Sequence, residues 1–169
     1  MSILVRRINR AKWQQVLNED DTSDSSADAI TNCLKTTNND LSVWKIDTIK
    51  GLEKAILALI TGRQQTKLST LHYVLLDETV VLEKGLSLTD SAGDTVVDSL
   101  KNSHKDISKL TYHKLGIIKD LILVKLEENE ETFFTRAQLR GILKKAVQDG
   151  EIDTMLLHPD LIKNEKLEI

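Results

Sequence analysis

Between Leu41 and Gly62 the apolar residues change period. Residues 41–46, LSVWKI, put Leu41, Val43, Trp44 and Ile46 on both sides of an extended backbone, which predicts a strand covered on both faces. Ile49, Leu52, Ile56, Leu59 and Ile60 then recur at steps of three and four, which predicts a helix over 48–61 with one apolar face. Asp47 or Thr48 stands where an N-cap is wanted, and Gly62 where a left-handed C-cap is wanted. This unit is the expected hinge between a sheet and a set of helices.

The same reasoning divides the rest of the chain. Residues 3–8, ILVRRI, and 71–76, LHYVLL, read as strands, and the second completes a right-handed βαβ unit with 41–46 and the helix between, a strand–helix–strand of antiparallel order being the alternative. Residues 79–84 read as a further strand, with a helical turn capped by Asp77 as the alternative. A short helix over 27–36 would turn Ala27, Ile30, Cys33 and Leu34 inward, and TTNND at 36–40 is a turn. From Asp94 the pattern is helical. Val96, Val97, Leu100, His104 and Ile107 predict a helix over 95–109. Leu115, Ile118, Leu121, Ile122 and Leu126 give 111–128 the broadest apolar face, widened further by Ile117 and Val124. Thr135 and Gln138 form a capping box that opens a helix over 136–149, closed by Gly150. Its inner face is Leu139, Ile142, Leu143, Ala146 and Val147, with Phe133 stapled onto Leu139, or Phe134 in its place as N′ against N4. The expected fold class is therefore α+β, with a small sheet of three to four strands in the N-terminal half packed on a helix. A mainly helical C-terminal half, 95–157, would follow. We expect a single domain over 1–169, with mobile loops at 18–26 and 85–94 and a frayed tail at 158–169.

Composition narrows the function classes. A chain of 169 residues, 40% hydrophobic and 29% charged, suffices for one core. A net charge of −3 supplies no global positive field for coating nucleic acid. No apolar run approaches the roughly 20 residues of a membrane helix, and no signal-peptide core follows the N-terminal arginines. The single cysteine, Cys33, allows no intrachain disulfide and no cysteine metal cluster, so a cytoplasmic location is expected.

Chemistry-bearing motifs fail on spacing. The acidic stretch 18–26 lacks the glycine and closing glutamate of a calcium loop. Glu83 and Lys84 are consecutive and so point apart, unlike the paired residues of a metal-dependent nuclease. Gly85 and Gly93 do not follow phosphate-loop spacing. His72, His104, His113 and His158 are scattered, and His104 and Asp106 fall on different faces of the predicted helix. No catalytic residue, metal ligand or cofactor is expected, and no cofactor-binding position can be assigned.

Three surfaces remain. Arg6, Arg7, Arg10 and Lys12 make a basic strand edge that can bind phosphate, though pairing with an acidic surface of the same protein is favoured. Arg136, Arg140, Lys144 and Lys145 form a cationic outer helix face, the candidate nucleic-acid contact, for which a solvated face is the plainer reading. Ile117, Leu121 and Val124 are surplus apolar width and the candidate interface. The favoured function is a non-enzymatic cytoplasmic interaction protein, an accessory subunit or inhibitor acting on a protein partner or a second copy. The alternatives are an enzyme or nucleotide-binding domain with its site built from loops 18–26 and 85–94, and DNA binding through helix 136–149.

Overall fold

The computed structural model of the chain describes residues 2–17, 27–128 and 132–167. In chain order the strands are β1 (Ile3–Ile8), β2 (Leu41–Ile46), β3 (Leu71–Asp77), β4 (Ser87–Asp90), β5 (His104–Ser108) and β6 (Thr132–Phe134). The helices are α1 (Arg10–Leu17), α2 (Leu52–Ile60), α3 (Glu78–Glu83), α4 (Tyr112–Glu127), α5 (Arg136–Gln148) and α6 (Pro159–Glu165). The six strands form one sheet in the order β4-β5-β2-β1-β3-β6, antiparallel at every pairing. Because β2 and β3 are each antiparallel to β1, they run parallel to one another with β1 between them. The predicted strand–helix–strand unit is therefore split by β1, and its two strands do not touch.

Helices cover both faces of this sheet, so both parities of its central strands are apolar. Val5, Trp44, Ile46 and Tyr73 pack with α2, α5 and α6 on one face. Leu4, Ile8, Val43, Val74 and Ile107 pack with Trp13 of α1 and with α4 on the other. The alternation within β1 is direct: Leu4 and Val5 point to opposite cores and neither is exposed. Cys33 is buried in the second core, where its Sγ accepts a hydrogen bond from the Asn9 amide at 3.0 Å. It lies at the end of a π-helical turn, Ala29–Cys33, whose inward residues are Ala29, Cys33 and Leu34, with Ala27 exposed.

The class is α+β, but the expected sheet of three to four strands is too small: it has six, and residues 95–157, helical over most of their length, also supply β5 and β6. Residues 95–109 do not form a helix: a 3-10 turn over Asp98–Ser103 leads into β5, which pairs with β2 and β4. The spacing that suggested a helical stripe is satisfied instead by Leu100 from the turn and by His104 and Ile107 from the strand, which tertiary pairing selects over local periodicity. Residues 85–94, expected as a loop, supply β4. Residues 79–84 are helical because the Asp77 carboxylate accepts from the amides of Thr79 at 2.7 Å and Val80 at 3.3 Å, an N-cap that ends β3. The tail does not fray over its described part; Pro159 at the first helical position opens α6.

The caps expected around α2 also differ. Asp47 makes no cap; a 3-10 turn over Ile49–Gly51 precedes the helix. Gly62 is not left-handed. Thr61, fully buried, ends α2 by donating its hydroxyl to the Leu57 carbonyl at 2.7 Å and meeting the Thr95 hydroxyl at 2.8 Å. Glycine is required elsewhere: a Cβ at Gly93 would lie 2.3 Å from Cη2 of Trp44. The capping box of α5 forms as read, with Gln138 N to Thr135 Oγ1 at 3.3 Å and Thr135 N to Gln138 Oε1 at 2.8 Å, and Gly150 adopts φ of 72°. Phe133 is not a staple; it stands 55% exposed in β6 against His72, while Phe134 stacks on Tyr73 at 5.8 Å. The 18–26 stretch, and Glu130 and Glu131 of the acidic run after α4, lie outside the described residues.

Candidate interaction surface

The amphipathic pattern of 111–128 is realised in α4, opened by Thr111, whose hydroxyl accepts from the Lys114 amide at 3.3 Å. Ile118, Ile122, Leu123 and Leu126 are buried against the sheet. Ile117 and Leu121 are half-buried beside them, and Val124 is 46% exposed. The structure thus brings the three candidate interface residues onto one flank of the helix, at steps of four and three. Lys114 and Glu128 extend that flank at steps of three and four. The sequence of steps from Lys114 to Glu128 is that of a coiled-coil seam. Its ends carry opposite charge, Lys114 at one and Glu128 at the other. Glu128 already meets Lys125 at 3.5 Å, a pair exposed on the surface.

Two of the four candidate nucleic-acid contacts, Arg136 and Arg140, are engaged inside the fold. Glu165 of α6 is fully buried, and both its oxygens face α5. Arg136 donates to it from Nη2 at 2.9 Å and Nε at 3.2 Å, and Arg140 from Nε at 3.0 Å. The Leu68 amide adds a third donor at 3.0 Å. Burial alone would raise this carboxyl's pKa; the hydrogen bonds from Arg136, the Leu68 amide and Arg140 outweigh it and hold the pKa below its ordinary value. Arg136 also donates to the Asn164 carbonyl at 3.2 Å, and Asn164 to the Thr66 carbonyl at 2.9 Å. One carboxylate therefore fastens α6, α5 and the segment entering β3 together. Lys144, half-buried, and exposed Lys145 lie further along α5 and do not join this cluster.

A second polar cluster sits where the sequence predicted none. His104 in β5 receives or donates a 2.7 Å hydrogen bond between Nδ1 and the Ser91 hydroxyl, and its ring meets Trp44 edge-on at 5.1 Å. In a strand, residues two apart share a face, so His104 and Asp106 are on the same side, contrary to the helical expectation. Burial lowers the His104 pKa from 6.5, opposed by the charge of Asp106. Asp106 in turn accepts from the Ser42 hydroxyl at 3.3 Å. Ser91 satisfies one nitrogen of a buried imidazole, and the Trp44 edge covers its side; the cluster stabilises the neutral ring in place. Of the two loops expected to build a nucleotide site, 85–94 carries β4 at one sheet edge and 18–26 lies outside the described residues. Among the described residues, no three His, Cys, Asp or Glu side chains converge as ion ligands.

Sequence reasoning missed Glu165 and Ser91. A start signal for α6 was present, Pro159 followed by Asp160, with Leu161 and Glu165 one turn apart. Ser91 carried no local signal, because its role follows from the register of β4 on β5. No protein-family model matches the chain, and neither does any curated protein or solved structure. No helix among the described residues is long and apolar enough to cross a membrane.

Proposed function

We propose that this protein acts without chemistry of its own, as an interaction protein whose contact surface is the outer flank of α4, and that its occupant is a second copy of the chain. The observation that carries the reading is the seam Lys114–Ile117–Leu121–Val124–Glu128, apolar in the middle and oppositely charged at its ends. An antiparallel second α4 sets the Lys114 end of one copy against the Glu128 end of the other and covers Val124 from both sides. A cytoplasmic location belongs to the same reading, supported by a lone cysteine that is buried in the core.

Light scattering on the full chain tests it. A dimer is expected, and Val124→Glu converts it to a monomer with an unchanged melting temperature, since that side chain is partly exposed in the monomer. Lys114→Glu and Glu128→Lys each weaken the dimer, and the two together restore it. A strict monomer at every concentration, or a dimer indifferent to Val124→Glu, overturns the proposal.

A further inference from the structure

The pleat of β1 sends its two arginines to opposite faces of the sheet. Arg6 shares the α4 face with Leu4, and there it donates to the Ser42 carbonyl at 2.7 Å and to the Cys33 carbonyl. Arg7 shares the α2 face with Val5 and stands opposite Tyr73 of the same core. The sequence favoured pairing of this basic run with acidic residues of the same protein. For Lys12 that holds: its Nζ meets Asp28 at 2.6 Å. For Arg7 it does not; this side chain is exposed and makes no hydrogen bond or ion pair among the described residues.

The register fixes what lies beside Arg7. Val5 stands opposite Trp44, so Arg7 falls level with Ser42 of β2, and Ser42 stands opposite Asp106 of β5. Val5 and Trp44 belong to the α2-side core, so parity places Arg7, Ser42 and Asp106 in one row on that face. A cation ends the row on one side and a carboxylate on the other. Ser42 donates its hydroxyl to Asp106 at 3.3 Å, and Asp106 makes no ion pair among the described residues. The helix α2 stops short of covering the row. Two hollows meet there at Leu59, one of about 300 Å³ over Ser42 and His104, the other of about 510 Å³ reaching Arg7.

We infer that this trough binds a free α-amino acid as its zwitterion, the carboxylate on the guanidinium fork of Arg7 and the ammonium on Asp106. Charge complementarity selects this ligand. A phosphate or simple carboxylate would gain Arg7 but face the repulsion of Asp106, and a simple amine the reverse. The span fits as well. Two strand spacings separate the ends of the row by roughly 10 Å, and a charge-assisted bond of about 2.8 Å at each end leaves about 4 Å, close to the reach from ammonium to carboxylate in an α-amino acid. Leu59 and Ala58 give an apolar wall for its side chain. Asp94, exposed at the rim, adds a second negative charge. His104 lines the same hollow as a neutral ring, since burial lowers its pKa against the charge of Asp106, so no imidazolium competes with the ammonium. The α4 flank lies across the sheet, and the trough stays open in one copy or two.

Calorimetric titration of the full chain at neutral pH and low salt tests the inference with L-leucine as the probe. Saturable binding is expected, weakening as salt rises. The halves of the zwitterion offered separately, 4-methylpentanoate without the ammonium and 3-methylbutylamine without the carboxylate, should each bind about tenfold more weakly. Arg7→Ala, which removes a side chain without partners, and Asp106→Asn, which keeps an acceptor for Ser42, should each weaken L-leucine about tenfold with the fold intact by circular dichroism. Lys145→Ala, exposed and outside both hollows, should not change it. Absence of L-leucine binding, or unchanged affinity in Arg7→Ala or Asp106→Asn, overturns the assignment. Binding of 4-methylpentanoate or inorganic phosphate as tight as that of L-leucine overturns it in favour of a simple anion site.

Discussion

Arg136 and Arg140 on α5 close on the carboxylate of Glu165, whereas Arg6 and Arg7 at the end of β1 meet no carboxylate among the described residues. In sequence the two clusters look alike, each a short basic run beside apolar residues. In the fold they are electrostatic opposites. The α5 cluster meets its counter-charge from a residue 25 and 29 positions away, and its cations thereby become part of the structure. Arg6 is instead anchored by the backbone carbonyls of Ser42 and Cys33, which carry no counter-charge. A basic run is drawn into the structure where the tertiary fold brings an acid to it, as happens to Arg136 and Arg140 but not to Lys144 and Lys145.

The comparison breaks most easily at Glu165. Replacing it by alanine leaves Arg140 and the Leu68 amide without this acceptor at a fully buried position, and Arg136 with the Asn164 carbonyl alone. Removing one partner of a buried pair typically costs 3–5 kcal/mol; with Arg136 and Arg140 still partly in contact with solvent, a loss of roughly 3 kcal/mol is expected. Glu165→Gln keeps a neutral acceptor for the amide and should lose less. Urea unfolding at neutral pH measures both. An alanine variant with the parental midpoint would mean that α6 is not fastened through this group.

The pH dependence is the next largest effect. The Glu165 pKa is lowered in the folded chain, so the stability it contributes is fully present above the unfolded value of about 4.5 and is lost as pH falls through the folded value. His104 is also lowered, from 6.5, because burial penalises its charged form; the stability tied to its neutral ring is present above 6.5 and declines as pH falls toward the folded value. Urea midpoints should therefore decline first on acidification below 6.5 and again below 4.5. Glu165→Gln should remove the second decline and leave the first. If both persist in that variant, the acid limb belongs to other carboxylates.

How much of this was legible in the sequence differs between elements for identifiable reasons. α4 and α5 were readable because their signals are local: a long apolar stripe in one, a capping box and a closing glycine in the other. β1, β2 and β3 were readable as apolar runs, because a sheet covered on both faces leaves both parities apolar. β4, β5 and β6 were not. Ser87–Asp90 and His104–Ser108 are short and polar, and only pairing with a neighbour makes them strands. The interface stripe could be proposed from spacing alone, since surplus apolar width is a one-dimensional property. The fate of the arginines could not, because it depends on Glu165 and on the carbonyls of Ser42 and Cys33 that hold Arg6, both set by three-dimensional placement.

The smallest effect sharpens the comparison most. Arg7 has no partner among the described residues and its charge depresses the pKa of Arg6, so Arg7→Ala removes a repulsion and no attraction. The change in stability should lie within about 0.5 kcal/mol, the range of surface substitutions, and its sign should be favourable at low ionic strength. Salt screens exposed like charges, so the gain should vanish as salt is added, while the parental chain gains stability over the same range. Melting temperatures of the two proteins across a salt series decide it. A loss of stability at low salt would mean that Arg7 has an attractive partner, and the two clusters would then be alike after all. A gain that fades with salt would show that Arg6 and Arg7 are held side by side at a small energetic cost.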